Sequence, residues 1–266
     1  MGTEELLRRI TTVLDEDPRV RAAWLVGSYG RGTQDEFSDI DVWLVADDRD
    51  GLATDWADLG DRIAPSIYRE RRDFGPVTLF NHVTPEWYRL DFTITGPDAV
   101  PGRARNLVRP LLDRDDLAAR LGPPAEPLQP DPGNVERLIK EFFRVLGLTP
   151  VVLGRADLIT AASGAGLLRD LLINLMLEDV AVPDRGGALH TSALLPPDRR
   201  EQVERLPAIE ATRESAVAVH RACTELFLPL ARDLAARTGV TWPDEFARAA
   251  LARVRPLGAD PTVAQD

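Results

Sequence analysis

Leu6, Ile10, Val13 and Leu14 recur at the three- and four-residue spacing of one helical face. Thr3 stands where a helix cap belongs, with Glu4 and Glu5 in the first turn, where carboxylates complement the positive end of the helix. The period then shortens to two. Val20 to Val26 and Ile40 to Val45 read as strands. In the second, Ile40, Val42 and Leu44 share one face, and Asp39, Asp41 and Trp43 the other. A helix is expected from Leu52 to Ile63 and a short strand from Val77 to Phe80. From Trp87 to Thr95, Tyr88, Leu90, Phe92 and Ile94 alternate with Arg89, Asp91 and Thr93, as in a half-buried strand. Leu107 to Leu112 is a weaker strand, and Pro110 within it suits a sheet edge.

The pattern changes after Gly122. The stretch GPPAEPLQPDP, residues 122–132, holds five prolines in eleven residues, which excludes a helix or a central strand and reads as a linker. Beyond it the spacing is helical throughout: Val135–Leu148, Ala156–Leu177, Arg199–Leu206, Thr212–Arg237 and Pro243–Val254. Gly147, Gly164, Gly166, the Gly186-Gly187 pair and Gly239 are expected to break or cap these helices. The fold class is therefore α+β. A mixed-sheet domain over residues 1–121 and a Pro-rich linker over 122–132 precede a helical domain over 133–266.

Composition narrows the chemistry. The 266 residues carry a net charge of −11 with no basic stripe, which disfavours stable binding of a nucleic acid and favours metal ions and cationic small molecules. Cys223 is the only cysteine, so internal disulfides and multi-cysteine zinc sites are excluded, and its place in an apolar helical stripe suits a buried small hydrophobe. With three histidines, a metal would be held by oxygen, as a hard ion such as Mg2+ is. No uninterrupted apolar run approaches the ~20 residues of a membrane span, and the acidic start MGTEELLRRI lacks a secretory pattern. A cytoplasmic location without membrane contact is the expectation.

One stretch carries the chemistry: VGSYGRGTQDEFSDIDVWLV, Val26 to Val45. Asp39 and Asp41, two residues apart on a strand, put two carboxylates on one face, where their mutual repulsion and desolvation call for compensation. A divalent metal supplies it, and such a pair can bind one ion or bridge two, as in-line phosphoryl transfer requires. Gly27 lets backbone amides approach a phosphate, and Ser28 adds a hydroxyl. Gly30 and Gly32 keep the turn open, and Arg31 is placed to pair with a departing pyrophosphate. Asp91, a polar residue between Leu90 and Phe92, completes a triad from a second strand.

These residues resemble the signature of the DNA polymerase β-like nucleotidyltransferase superfamily. YRLDFTIT around Asp91, VRPLLDRDD after it, KEFFRVLG at the start of the helical half and ELFLPLARDLAARTGVTWPDEF near the end narrow the likeness. Together they are similar to two-domain bacterial antibiotic nucleotidyltransferases, the streptomycin-type aminoglycoside 6-adenylyltransferase group and the lincosamide nucleotidyltransferases. The resemblance implies that Asp39 and Asp41 bind Mg2+ carrying a nucleoside triphosphate, ATP for an adenylyltransferase. Ser28 would hold terminal phosphates, and Asp91 would bind metal or take the proton of the acceptor hydroxyl. The nucleoside monophosphate would pass to a hydroxyl of a small acceptor, an aminoglycoside or lincosamide-like antibiotic, with release of pyrophosphate and antibiotic resistance as the outcome. Glu141, Asp170 and Glu178 are candidates for a base or acceptor-binding group from the helical half.

A regulatory or toxin–antitoxin component on the same fold is the competing reading. Arg185 with His190, and Arg213 with His220, match the Arg-x4–6-His spacing of helical RNase partners. The first pair falls in a Gly-Gly loop, and such pairs arise readily by chance. A third reading, a relative that has lost catalysis, sits poorly with three retained carboxylates.

Overall fold

A computed structural model of the chain describes residues 2–187 and 191–258. The chain forms two compact units, Met1–Glu126 and Pro127–Asp266, whose border lies inside the proline-rich stretch. From Pro132 that stretch is already helix, because proline at the first helical position costs no hydrogen bond.

The first unit opens with α1 (Thr3–Asp15), capped by Gly2 rather than Thr3, which is itself helical. It continues through β1 (Val20–Leu25), α2 (Gly27–Arg31), β2 (Ile40–Ala46), α3 (Arg49–Thr54), α4 (Trp56–Ile63), β3 (Tyr68–Phe74), β4 (Val77–Val83), β5 (Arg89–Thr95) and β6 (Arg109–Asp113). The helix expected over 52–63 is two helices that meet at Asp55; Asp48 caps the first, accepting a bond from the Gly51 N–H.

The six strands run in the order β3-β4-β5-β2-β1-β6. β2 and β5 are parallel and every other pair antiparallel, so the sheet is mixed. β6, with Pro110, forms one edge, where a missing N–H does least harm. β3 forms the other and was not legible in the sequence. YRERRDF has no apolar alternation because nearly every residue is exposed at that edge.

One face of the sheet packs Ile40, Val42, Leu44, Leu90, Phe92 and Ile94 against Leu6, Ile10 and Leu14 of α1 and Trp56, Leu59 and Ile63 of α4. The opposite face is covered only in part. Trp24 and Trp43 stack there, ring centres 4.8 Å apart, under Val100, Leu117 and Leu121. The cover stops short of Asp41, Asp91 and Thr93 on that face, which are half-buried.

The second unit contains α5 (Pro132–Gly154), α6 (Leu158–Glu178), α7 (Thr191–Leu194), α8 (Pro197–Glu204), α9 (Arg213–Thr238) and α10 (Asp244–Val254). Phe142 and Phe227 stack at 3.7 Å at the centre of its core, with Leu168, Leu172 and Leu175 around them. Gly147, Gly164 and Gly166 lie within α5 and α6 rather than at breaks. Core packing outweighs the ~1 kcal/mol helix penalty of each glycine. Gly239 does end α9, in the left-handed conformation with φ 73°. By length and composition α6 could cross a bilayer, which its lack of an uninterrupted apolar run had not led one to expect. Arg169 and Asp170 lie at its middle, and Leu168, Leu171, Leu172, Leu175 and Met176 are buried in the core of the helical unit.

Candidate active site

The site grows from the end of β1. β1 and β2 pair antiparallel with Leu25 opposite Val42, so the chain leaving β1 passes directly beside Asp41, and the Val26 N–H donates to the Asp41 carbonyl at 3.0 Å. The expected open turn is in fact the short helix α2. Gly27 enters it at φ 58°, and a Cβ there would overlap the Asp41 carboxylate. Both facts require glycine. Gly30 answers a different need: a Cβ there would strike the Leu107 carbonyl, so it lets the turn at 105–107 pack onto α2. Gly32 closes the helix in the left-handed region, at φ 71°.

Asp39, Asp41 and Asp91 come together. One carboxylate oxygen from each lies within 4.8 Å of the others, and no other such group of three acidic, histidine or cysteine ligands occurs among the described residues. The cause is register: in the parallel β2–β5 pair, Asp41 stands directly opposite Asp91. Asp39 precedes β2, on the loop that Arg89 holds. The Arg89 guanidinium donates to the Phe37 carbonyl at 2.8 Å and approaches the Asp39 carboxylate to 3.8 Å. Asn81, opposite Asp91 in β4, donates from Nδ2 to Asp91 Oδ1 at 2.7 Å. Neither Arg89 nor Asn81 was singled out from the sequence. Asn81 was detectable as the polar member of the run Leu79, Asn81, Val83 on one strand face.

Burial, followed by the charges of Asp39 and Asp91, pushes the Asp41 carboxyl up from 3.8 to about 6, against the opposing pull of Arg31 and Arg89. Burial also raises Asp91. The Asn81 hydrogen bond works against that rise, the Asp39 charge adds to it, and Arg89 and Arg72 oppose it. Three oxygen donors that cannot comfortably hold three negative charges fit a hard divalent cation. Ser28 is 2% exposed, and its Oγ is buried without a hydrogen-bond partner, an orphan in a position to bind an oxyanion.

The three candidates from the helical half do not form one group. Glu141 is paired with Arg144 at 2.6 Å, which holds its carboxyl below the ordinary range. Glu178 is buried and accepts bonds from the Asp131 N–H, Asn134 Nδ2 and Arg185 Nη1, tying the start of α5 to the end of α6. Asp170 is exposed on α6 and lines a cavity of about 530 Å³ with Asn134, Asn174, Glu178 and Arg185. Of the Arg/His pairs, His190 lies outside the described residues. His220 is buried, its Nδ1 2.8 Å from Thr149 Oγ1. Burial lowers His220 to about 4 and raises the buried Cys223 thiol to about 12.

The family model described as streptomycin adenylyltransferase matches residues 1–252. No curated protein matches the chain. Among solved structures, it is similar to an aminoglycoside 6-adenyltransferase from Bacillus subtilis at 14% identity and a TM-score of 0.46, covering 97% of this chain and 99% of that one. It is also similar to a nucleotidyltransferase-like protein from Exiguobacterium sibiricum at 11% identity and a TM-score of 0.37, covering 98% and 89%.

Proposed function

The chain belongs to the streptomycin adenylyltransferase family and is an adenylyltransferase, and from that premise we propose that it transfers AMP from ATP to a hydroxyl of an aminoglycoside in the cytoplasm. The observation that carries the reading is the convergence of Asp39, Asp41 and Asp91 beside the orphaned Ser28 hydroxyl. Residues 1–121 carry the transfer chemistry, and the helical region supplies acceptor contacts, with Asp170 the most accessible of its three candidates.

Asp39, Asp41 and Asp91 would hold Mg2+, which when bound neutralises charge on the transferring phosphoryl group and eases ionisation of the acceptor hydroxyl. The rest falls to the chain's own groups. Gly27 leaves room for the Asp41 carboxylate itself, Ser28 Oγ donates to a phosphate oxygen, and the Arg31 guanidinium offsets charge on the departing pyrophosphate. The acceptor oxygen forms a bond to the α-phosphorus as the bond from that phosphorus to the β-phosphate oxygen breaks. Asp91, raised by burial, would take the hydroxyl proton when it is not engaged as a ligand. An acidic protein suits a polycationic acceptor, because it draws such a molecule in.

The test is incubation of the protein with ATP radiolabelled at the α-phosphate, Mg2+ and a panel of aminoglycosides and lincosamides. Label should move to an aminoglycoside in the parent and not in Asp39→Asn. Transfer to a lincosamide alone would replace the acceptor, and undiminished transfer by Asp39→Asn would overturn the site.

A further inference from the structure

We infer that Asn81 is a positioning residue that fixes the Asp91 carboxylate in the three-aspartate cluster and through it sets the affinity of that cluster for a divalent cation. The inference rests on the metal-binding reading above. Asn81, Asp91 and Asp41 are consecutive register partners across β4, β5 and β2, so one row of side chains runs from the amide to the buried carboxylate. Asn81 Nδ2 lies 2.7 Å from Asp91 Oδ1. An ionised carboxylate only accepts hydrogen bonds, so the amide must present its nitrogen to Asp91.

That orientation has a cost. Asn81 Oδ1 is buried and has no hydrogen-bond partner. A buried amide oxygen without a donor destabilises the fold, and the same face of β4 carries Val77, Leu79 and Val83. Packing alone would place a fourth apolar residue at 81. What the asparagine adds is the donor to Asp91. Carboxylates that ligate metals are themselves held by hydrogen bonds, and loss of such a partner lowers metal affinity about 10- to 100-fold.

The test is calorimetric titration of the full chain with Mn2+ alone. Asn81→Leu keeps the size of the side chain and removes the donor; Asn81→Ala serves if the leucine variant does not fold. Thr93→Val alters the same sheet face two residues from Asp91 and is the control for general disturbance. The expected result is a parent that binds Mn2+, an Asn81 variant that melts cooperatively and is weakened at least tenfold, and a Thr93→Val protein that binds as the parent does. Parental affinity in the Asn81 variant, or equal weakening in Thr93→Val, overturns the role of Asn81 and leaves the metal site standing. A parent that binds no Mn2+ overturns the metal reading and this inference with it.

Discussion

Asp41→Asn should make the metal-free protein more stable while abolishing transfer. In the native state the Asp41 carboxyl is raised from 3.8 to about 6 by burial and by its two acidic neighbours. At ~1.4 kcal/mol per pKa unit the shift corresponds to about 3 kcal/mol, and solvent reaching the part-exposed side chain reduces this to about 2 kcal/mol. The sign is opposite to that of a salt-bridged aspartate. Here the native state holds the proton more tightly than the unfolded state, so stability is unaffected well below pH 3.8 and falls as pH rises between about 4 and 6. The penalty is complete above pH 6 and shrinks to roughly a third by pH 4.5. An asparagine carries no such penalty. For a chain of this size each kcal/mol moves the melting temperature by roughly 2–4 °C, so the variant should melt about 4–8 °C higher at pH 7.5. The assay is a tryptophan-fluorescence melt in chelator at pH 7.5 and 4.5, in which Trp24, Trp43, Trp56 and Trp87 report the first unit. Taking the difference between variant and parent cancels the titration of groups that do not interact with Asp41. A variant no more stable than the parent at pH 7.5, or equally stabilised at both pH values, would refute the reasoning.

Gly27→Ala forces a side chain into a left-handed backbone and against the Asp41 carboxylate. It should cost about 1–3 kcal/mol of stability and reduce transfer by more than that loss of folded protein explains, as measured by kcat on the folded fraction. Glu178→Gln removes the buried charge opposite Arg185 and should destabilise the helical unit by about 3 kcal/mol. Its pH–rate profile should match the parent's, because Glu178 acts as a structural tie. His82 and His220 are both lowered from 6.5 to about 4 by burial, so each contributes stability that is full above pH 6.5 and is lost as pH falls toward 4. Acid melts should show that loss reduced in His82→Gln and in His220→Gln.

The sequence alone determined the parts of this protein whose cause is local. Trp87–Thr95 alternates because one face of that strand is buried more deeply than the other, and the two-residue strand period already set Asp39 and Asp41 opposite Ile40, Val42 and Leu44, and Asp91 opposite Leu90 and Phe92. The five prolines of residues 122–132 marked the change from mixed sheet to helices by their missing N–H groups. Where burial leaves no imprint, the sequence was silent. β3 is exposed along its length, so its residues carry no period, and the glycines inside α5 and α6 read as breaks because the packing that holds them in helix comes from residues far away in the chain. Tertiary structure decided the candidate site. A strand pattern cannot say that β2 and β5 are adjacent and parallel, nor that their register sets Asp41 against Asp91 with Asn81 behind. Nor can it tell an available carboxylate from one already engaged: Glu178 and Asp170 look alike on a helical face, and only the fold wraps three donors around the first and leaves the second exposed. Charge and periodicity are written residue by residue, whereas the proximity that turns three aspartates into one cluster exists only once distant strands are paired.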